Sequence, residues 1–378
     1  MHAVLNRRIG IVQAVSKTTH AIQELTIELD GHGFSGINYR GLTGDVFPGD
    51  IVEVNTTALD LGLGTGGVHF VISRRSSIDG NVGETAFPND AANEAVGDKG
   101  HIMKLRYTPL QFSVLSVEEE ASPYHDILKT ADNLDGMPVI TASLHSLLAP
   151  IAAVFQHNSL NTSHLTYIMT DGGALPLGFS RLVASLKEQG LIHSTITVGH
   201  AFGGDLEAVN IYSALLAARH VFEADACIVA MGPGVVGTGT AFGTTALETA
   251  CILDGANALG GQSIAVPRIS FADQRARHCG ISHHTLTALG KLCYSRCFCP
   301  LPVLGDGRDS VLQDQSNSGL RRHRVIFVQQ DETLEILDKH KIKVTSMGRT
   351  PKEDPAFFKA GGAAGRLAAR LLQTRPLS

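Results

Sequence analysis

The chain has no apolar run long enough to cross a membrane, which argues against a bilayer-spanning segment. It has no basic excess either. Lys and Arg number 31 against 36 Asp and Glu, a formal net charge of -5, and without a positive footprint nucleic acid is not an expected partner. No cysteine precedes Cys227, so the six cysteines cannot frame a secreted, disulfide-stapled fold. Charged residues are sparse at 18%, beside a hydrophobic fraction of 43%. That balance implies a large core with many residues buried on both faces of a sheet. The start, MHAVLNRRIGIVQAV, follows two arginines with only a short apolar stretch, whereas a secretory signal needs a longer one and a cleavage site. The expected location is therefore the cytoplasm. No internal repeat is apparent.

A chain of 378 residues suits two domains, one of them sizeable. Residues 1–75 read as a small β-barrel-like domain. RIGIVQAV, IQELTIEL, INYRG, DIVEVNTTA and HFVIS are short β-branched runs between glycine turns, none long enough for a helix. Pro48 and Gly49 shape a corner before Ile51 and Val54, which point toward a core. LDLGLGTGG (59–67) reads as tight turns, and residues 76–100, small and polar, as a linker or loop. Over 101–378 the rhythm changes. MPVITAS, LTYIMT, TITVG, ACIVAMG, SIAVPRIS, RVIFVQQ and IKVTS are apolar without alternation, as strands buried on both faces are. Between them lie helical segments: LLAPIAAVFQHN, PLGFSRLVASLKEQG, LEAVNIYSALLAARHVF, TALETACILDGANAL, HHTLTALGKL, DETLEILDKH and FFKAGGAAGRLAARLLQ. This alternation predicts an α/β fold with an open, mostly parallel sheet and helices on both faces. GDGRDSVLQDQSNSGLRRH (305–323) fits neither pattern and reads as a variable loop.

In such sheets ligands bind beyond the carboxyl ends of the strands. Five successive ends here carry glycine with His, Asp or Arg, while the opposite ends carry little. VITAS leads to His145, YIMT to Asp171, TITVG to His200 and Asp205, and ACIVA to the glycine stretch from Gly232; AVPRIS leads to Asp273, Arg275, Arg277 and His278, with Arg268 within it. Each has a plainer use. Asp205 before LEAVN makes a good helix N-cap, His200 can bond backbone, and Asp171 can shape a turn. His283 and His284 are adjacent, so at most one of them enters a cleft. The arginines suit a carboxylate or phosphate, or else a solvated salt-bridge patch.

MGPGVVGTGTAFGTT (231–245) matches half of the dinucleotide fingerprint through Gly232, Gly234 and Gly237. The acidic residue expected at the end of the next strand is missing, and the loop runs on through Gly239, longer than a fingerprint turn. NAD is not favoured; nor is ATP, since the P-loop lysine is absent. The glycine amides still offer an anion site at a helix start. Cys293, Cys297 and Cys299 are spaced C-x3-C-x-C, which matches no common zinc or iron–sulfur pattern, so buried thiols are the expected reading and an iron–sulfur cluster is not favoured. No HExxH-like spacing singles out a metal residue.

HIMKLRYTPLQ, ASLHSLLAP, YIMTDGGALPL, GHAFGGDLEAVN, MGPGVVGTGT and VPRISFADQRARHCGISHHTLTALG together resemble the uncharacterised bacterial domain-of-unknown-function family 3866. NTTALDLGLGTGG fits as well, so the resemblance spans most of residues 1–300. It implies no activity, substrate or catalytic residue to carry over. From the residues themselves, the expectation is an enzyme acting on a small anionic metabolite by general acid–base chemistry, metal-assisted or not. His200 serves as acid or base with Asp171 or Asp205 beside it. His145 and His283 are further candidates, Arg268 and Arg275 hold the anion, and Gly232, Gly234, Gly237 and Gly239 contribute amides. The alternative is a ligand-sensing or assembly protein whose β domain contacts a partner. Helices with few charges, such as ALLAARHVF, favour a homo-oligomer.

Overall fold

The computed structural model describes residues 6–60, 67–75, 100–106, 110, 112–159, 163–329 and 332–374. The chain divides into two compact units, Met1–Lys99 with Leu105–Phe112 and Gly100–Lys104 with Ser113–Ser378. Most of LDLGLGTGG, and all but the last residue of the expected linker 76–100, lie outside the described residues.

In the first unit β1 (Arg7–Thr18), β2 (Ile22–Leu29), β3 (His32–Tyr39), β4 (Ile51–Asn55) and β5 (His69–Arg75) close into a barrel in the order β1-β2-β3-β5-β4. Leu25, Ile27 and Leu29 point inward at period two, joined by Val12, Val46, Val52, Val54 and Val71. Val52 takes the inward position expected of Ile51, which is half-buried. Register irregularities between Val12 and Ala14 and between Val15 and Lys17 bend β1 so that it pairs with both neighbours. Gly36 permits the closure, since a Cβ there would overlap Ile27. Two single turns of helix, Arg40–Thr43 and Thr57–Asp60, interrupt the strands where none was expected. Four residues are too few to display a helical period.

The second unit holds the short strand β6 (Ile102–Lys104) and all but the first residue of β7 (Phe112–Val114), then β8 (Pro138–Ala142), β9 (Leu165–Thr170), β10 (Ser194–Val198), β11 (Leu206–Ala208), β12 (Ala226–Met231) and β13 (Gln262–Val266). After a two-residue pair, β14 (Ile269–Ser270) and β15 (Gly280–Ile281), come β16 (Phe298–Val303) and β17 (Arg324–Gln329). Eight of them form a parallel sheet ordered β11-β10-β9-β12-β8-β13-β16-β17. Helices Leu148–Asn158 and Arg181–Glu188 share one core with the C-terminal helix Pro355–Gln373, into which Ile140 and Ala142 point. Helices Ile211–His220 and Glu248–Ala258 cover the other face, where Val139 and Val229 point. The connection leaving β8 thus runs over one face, while those leaving its neighbours β12 and β13 run over the other. That divergence opens a crevice at their carboxyl ends, the switch point where open α/β sheets take ligands.

Four expectations fail locally. Leu206–Ala208 is strand, and helix starts only at Ile211, behind an Asn210 cap that accepts from the Tyr212 and Ser213 amides. β16 was not expected because Pro300 and Pro302 argue against a central strand. It is tolerated because only Ile264 and Phe298 register between β13 and β16, against six pairs between β16 and β17. IKVTS forms no strand; Ile342 and Val344 pack into the core, and Ser346 makes an isolated bridge to Arg349. Residues 305–323 hold the helix Arg308–Gly319, whose buried positions, Leu312 and Ser316, are too sparse to mark a period. Among the described residues no helix is long and apolar enough to cross a membrane.

Candidate functional site

The crevice has about 130 Å³ of free volume. β8 contributes Ser143 and Leu144 at its exit, and the loop after β12 contributes Val235, Val236, Gly237 and Gly239. The chain leaving β13 supplies Arg268, Arg275, Arg277, His278 and His284. The glycine stretch does not wrap a helix start. It folds on itself as a small antiparallel tongue, with Gly237 bridged to Thr244 and the Thr238 amide donating to the Gly243 carbonyl at 2.8 Å. Gly239 sits at its tip with φ +83. The first turn of the following helix is occupied by its own Glu248, which accepts from Thr170 Oγ1 at 2.7 Å. Burial, with Asp171 nearby, pushes that carboxyl up to about 7 against the Thr170 hydrogen bond.

Asp273 organises the cationic wall. It accepts from Arg268 Nη2 at 3.0 Å and from Arg275 Nε and Nη2 at 2.8 and 2.7 Å; Arg349 stands at 3.8 Å and pairs with Asp354 at 3.1 Å. Hydrogen bonds from Arg275 hold the Asp273 carboxyl far below the usual carboxylate range. Arg277 has no ion pair among the described residues. Four guanidiniums therefore face two carboxylates, and two positive charges are left over.

Three imidazoles complete the wall. His278 Nδ1 lies 3.0 Å from Arg268 Nη1 and 2.8 Å from Ser282 Oγ. A guanidinium only donates, so Nδ1 accepts and the ring is neutral. Burial, then the field of Arg268 and Arg275, lowers His278 to about 3. Burial, His283 and the arginines together lower His284 to about 4. The Nε2 atoms of His283 and His284 are buried, with no hydrogen-bond partner among the described residues. The two rings pack 4.1 Å apart, yet only His284 lines the crevice.

The other residues singled out in the sequence go elsewhere. His145 is enclosed: Nε2 meets Ser180 Oγ at 2.7 Å and Nδ1 meets the Met231 carbonyl at 3.3 Å. Burial lowers it to about 4. Asp205 caps no helix. It binds Lys187 Nζ at 2.6 Å and both the amide and hydroxyl of Thr195, at 2.8 and 2.9 Å. Asp171 accepts from the His200 amide at 3.1 Å. None of these four lines the crevice. Gly232 serves packing, since a Cβ would overlap the Ala174 carbonyl, and Gly234, at φ +103, turns the chain. Arg268, Arg275, Gly237 and Gly239 do meet at one place. Arg277, His278 and His284 join them, and they share the ARH and SHH runs that already carried basic residues into this strand end.

The chain belongs to the DUF3866 family. The family model, described as a protein of unknown function, matches residues 35–365. No curated protein and no solved structure matches significantly. The DUF3866 match contains every crevice residue from Ser143 to Met347 and leaves out β1 and β2 of the barrel.

Two groups in the DUF3866 chain bring together metal-ligand atoms among the described residues: His278 with His283 and His284, and Cys293 with Cys297 and His323. The histidine group suits a cation poorly. Its ligands are neutral, so a dication would keep its full charge beside the arginines. An anion is the natural complement.

Proposed function

We propose that the crevice binds a small phosphate- or carboxylate-bearing metabolite and that the protein is an enzyme acting on it by general acid–base chemistry. One observation carries this reading: three guanidiniums line the same small crevice as His284, a neutral imidazole whose buried Nε2 has no partner. Arg277, without an ion pair, and the outer edge of Arg275 receive the anion. Arg268 is committed to Asp273 and His278 and sets the local field. An anion cancels the arginines' part of the pull on His284, so substrate binding raises that ring's proton affinity and readies it as the base. The free volume lies below the roughly 300 Å³ at which pockets begin to enclose drug-sized ligands, which favours a small molecule over a dinucleotide.

A panel of small phosphate monoesters and carboxylates, followed by NMR for turnover, tests the proposal. The wild type should convert at least one compound, and His284→Ala should slow that conversion about a hundredfold or more. Equal rates in both proteins would remove His284 from the chemistry. Binding without any turnover would favour the second reading, a ligand-sensing protein with the barrel as partner module. Ile9 and Ile11, exposed on β1, support that alternative.

A further inference from the structure

Cys293, Cys297 and His323 converge at the amino edge of the sheet, the edge away from the crevice. Cys293 follows the helical turn Ala288–Leu292, Cys297 immediately precedes β16, and His323 immediately precedes β17. All three are buried, and one ligand-type atom from each lies within 4.8 Å of the others. The ring of His323 is set by its far nitrogen. Nε2 lies 2.8 Å from the Leu289 carbonyl, which can only accept, so the proton sits on Nε2 and the Nδ1 lone pair faces Cys297 Sγ at 3.2 Å. A carbonyl behind one ring nitrogen is the usual support of a metal-bound imidazole, and besides the thiol Nδ1 takes a long contact from the Cys297 amide at 3.5 Å. Zinc bonds of about 2.3 Å to sulfur and 2.0–2.1 Å to nitrogen place tetrahedral S and N about 3.5 Å apart, close to the separation seen. A plain thiol–imidazole hydrogen bond would need one cysteine; here a second sulfur stands within reach of the same nitrogen.

We propose that Cys293, Cys297 and His323 bind one zinc ion that ties the end of the Ala288–Leu292 turn to β16 and β17. Cys297 also lines a depression with Arg296, Phe298 and Arg324, the source of the water that would complete the tetrahedron. Each thiol releases one proton on binding, and the two thiolates cancel the charge of the ion without any electron transfer. This separates the site from the histidine group, where no ligand loses a proton. Asp254, whose Oδ1 lies 3.4 Å from Cys293 Sγ, holds the turn by accepting from the Ser295 amide at 2.7 Å. Spacing along the sequence concealed the site because its third ligand lies beyond β16.

Elemental analysis of the full chain, incubated with zinc and then desalted, should find about one zinc per chain. Cys297→Ser and His323→Ala should lose it, and Cys299→Ala, a buried cysteine outside the group, should keep it. Metal-free wild type titrated with Co²⁺ should develop a thiolate-to-cobalt charge-transfer band and tetrahedral visible bands, a readout that stands if the variants fail to fold. Zinc-free wild type that also gives no cobalt bands would overturn the proposal. So would full zinc retention by folded Cys297→Ser and His323→Ala, or a Cys293–Cys297 disulfide in the purified protein. Crevice binding and turnover need not follow either result, so this site and the anion site fail independently.

Discussion

Two groups of polar residues, one around β9 and β10 and one beyond β13, differ in what they leave unused. Around β9 and β10 the acids and histidines are largely consumed by the fold: Asp205 by Lys187 and Thr195, His145 by Ser180 and Met231, and Glu207 by Thr197 and the fully buried Lys104. Beyond β13 the cations outnumber the acids, and Nε2 of His283 and of His284 has no hydrogen-bond partner among the described residues. Residue types alone do not separate the two groups. The surplus does, because a polar group already satisfied within the chain has little left to offer a ligand.

The largest expected effect comes from the acid at the centre of the second group. Asp273→Ala would leave Arg268, almost fully buried, without its carboxylate. The variant should lose about 3–5 kcal/mol in urea unfolding, as broken buried pairs do. A loss under 1 kcal/mol would mean that Arg268 does not depend on this acid.

Smaller, and sharper as a comparison, is the pair His145→Ala and His284→Ala. The first removes the ring that meets the Ser180 hydroxyl and the Met231 carbonyl, leaving them only the Val183 amide and the Tyr167 hydroxyl among the described residues, and should cost about 1–3 kcal/mol. The second removes a ring whose Nε2 satisfies nothing, and stability should change less. The reverse order would dissolve the distinction between the two regions.

Smaller again is the pH dependence. His145, His278 and His284 are lowered to about 4, 3 and 4, below the 6.5 of an unfolded chain. Between those values the unfolded state binds more protons than the folded one, so stability should fall as pH drops from about 6.5 toward 3. His284→Asn should make that fall shallower. Unfolding curves at several pH values check both, and an unchanged slope in the variant would show that His284 titrates normally.

Much of this was legible in advance. The barrel and the parallel sheet follow from apolar runs with and without alternation, whereas Asp205, expected at a carboxyl end, sits beside Thr195 at the start of β10. The placement of β11 was hidden because Glu207 reads as a helix acid, whereas buried Lys104, about a hundred residues earlier, holds it in a strand. His200 and His284 look alike on paper, each at a strand exit beside glycine or serine. Only the switch point, set by β12 returning between β9 and β8, decides which of them meets the arginines. That return is a long-range pairing, and nothing in the local sequence encodes it.

Calorimetric titration with the best-binding small phosphate or carboxylate tests the central claim most directly. Wild type, Arg277→Glu and His200→Ala would be compared at one ionic strength, since exposed charge interactions are screened by salt. Arg277→Glu should weaken binding at least about tenfold, which is about 1.4 kcal/mol, and His200→Ala should leave it unchanged. Undiminished binding in Arg277→Glu, with loss in His200→Ala, would place the site at the β9 and β10 ends and contradict the account.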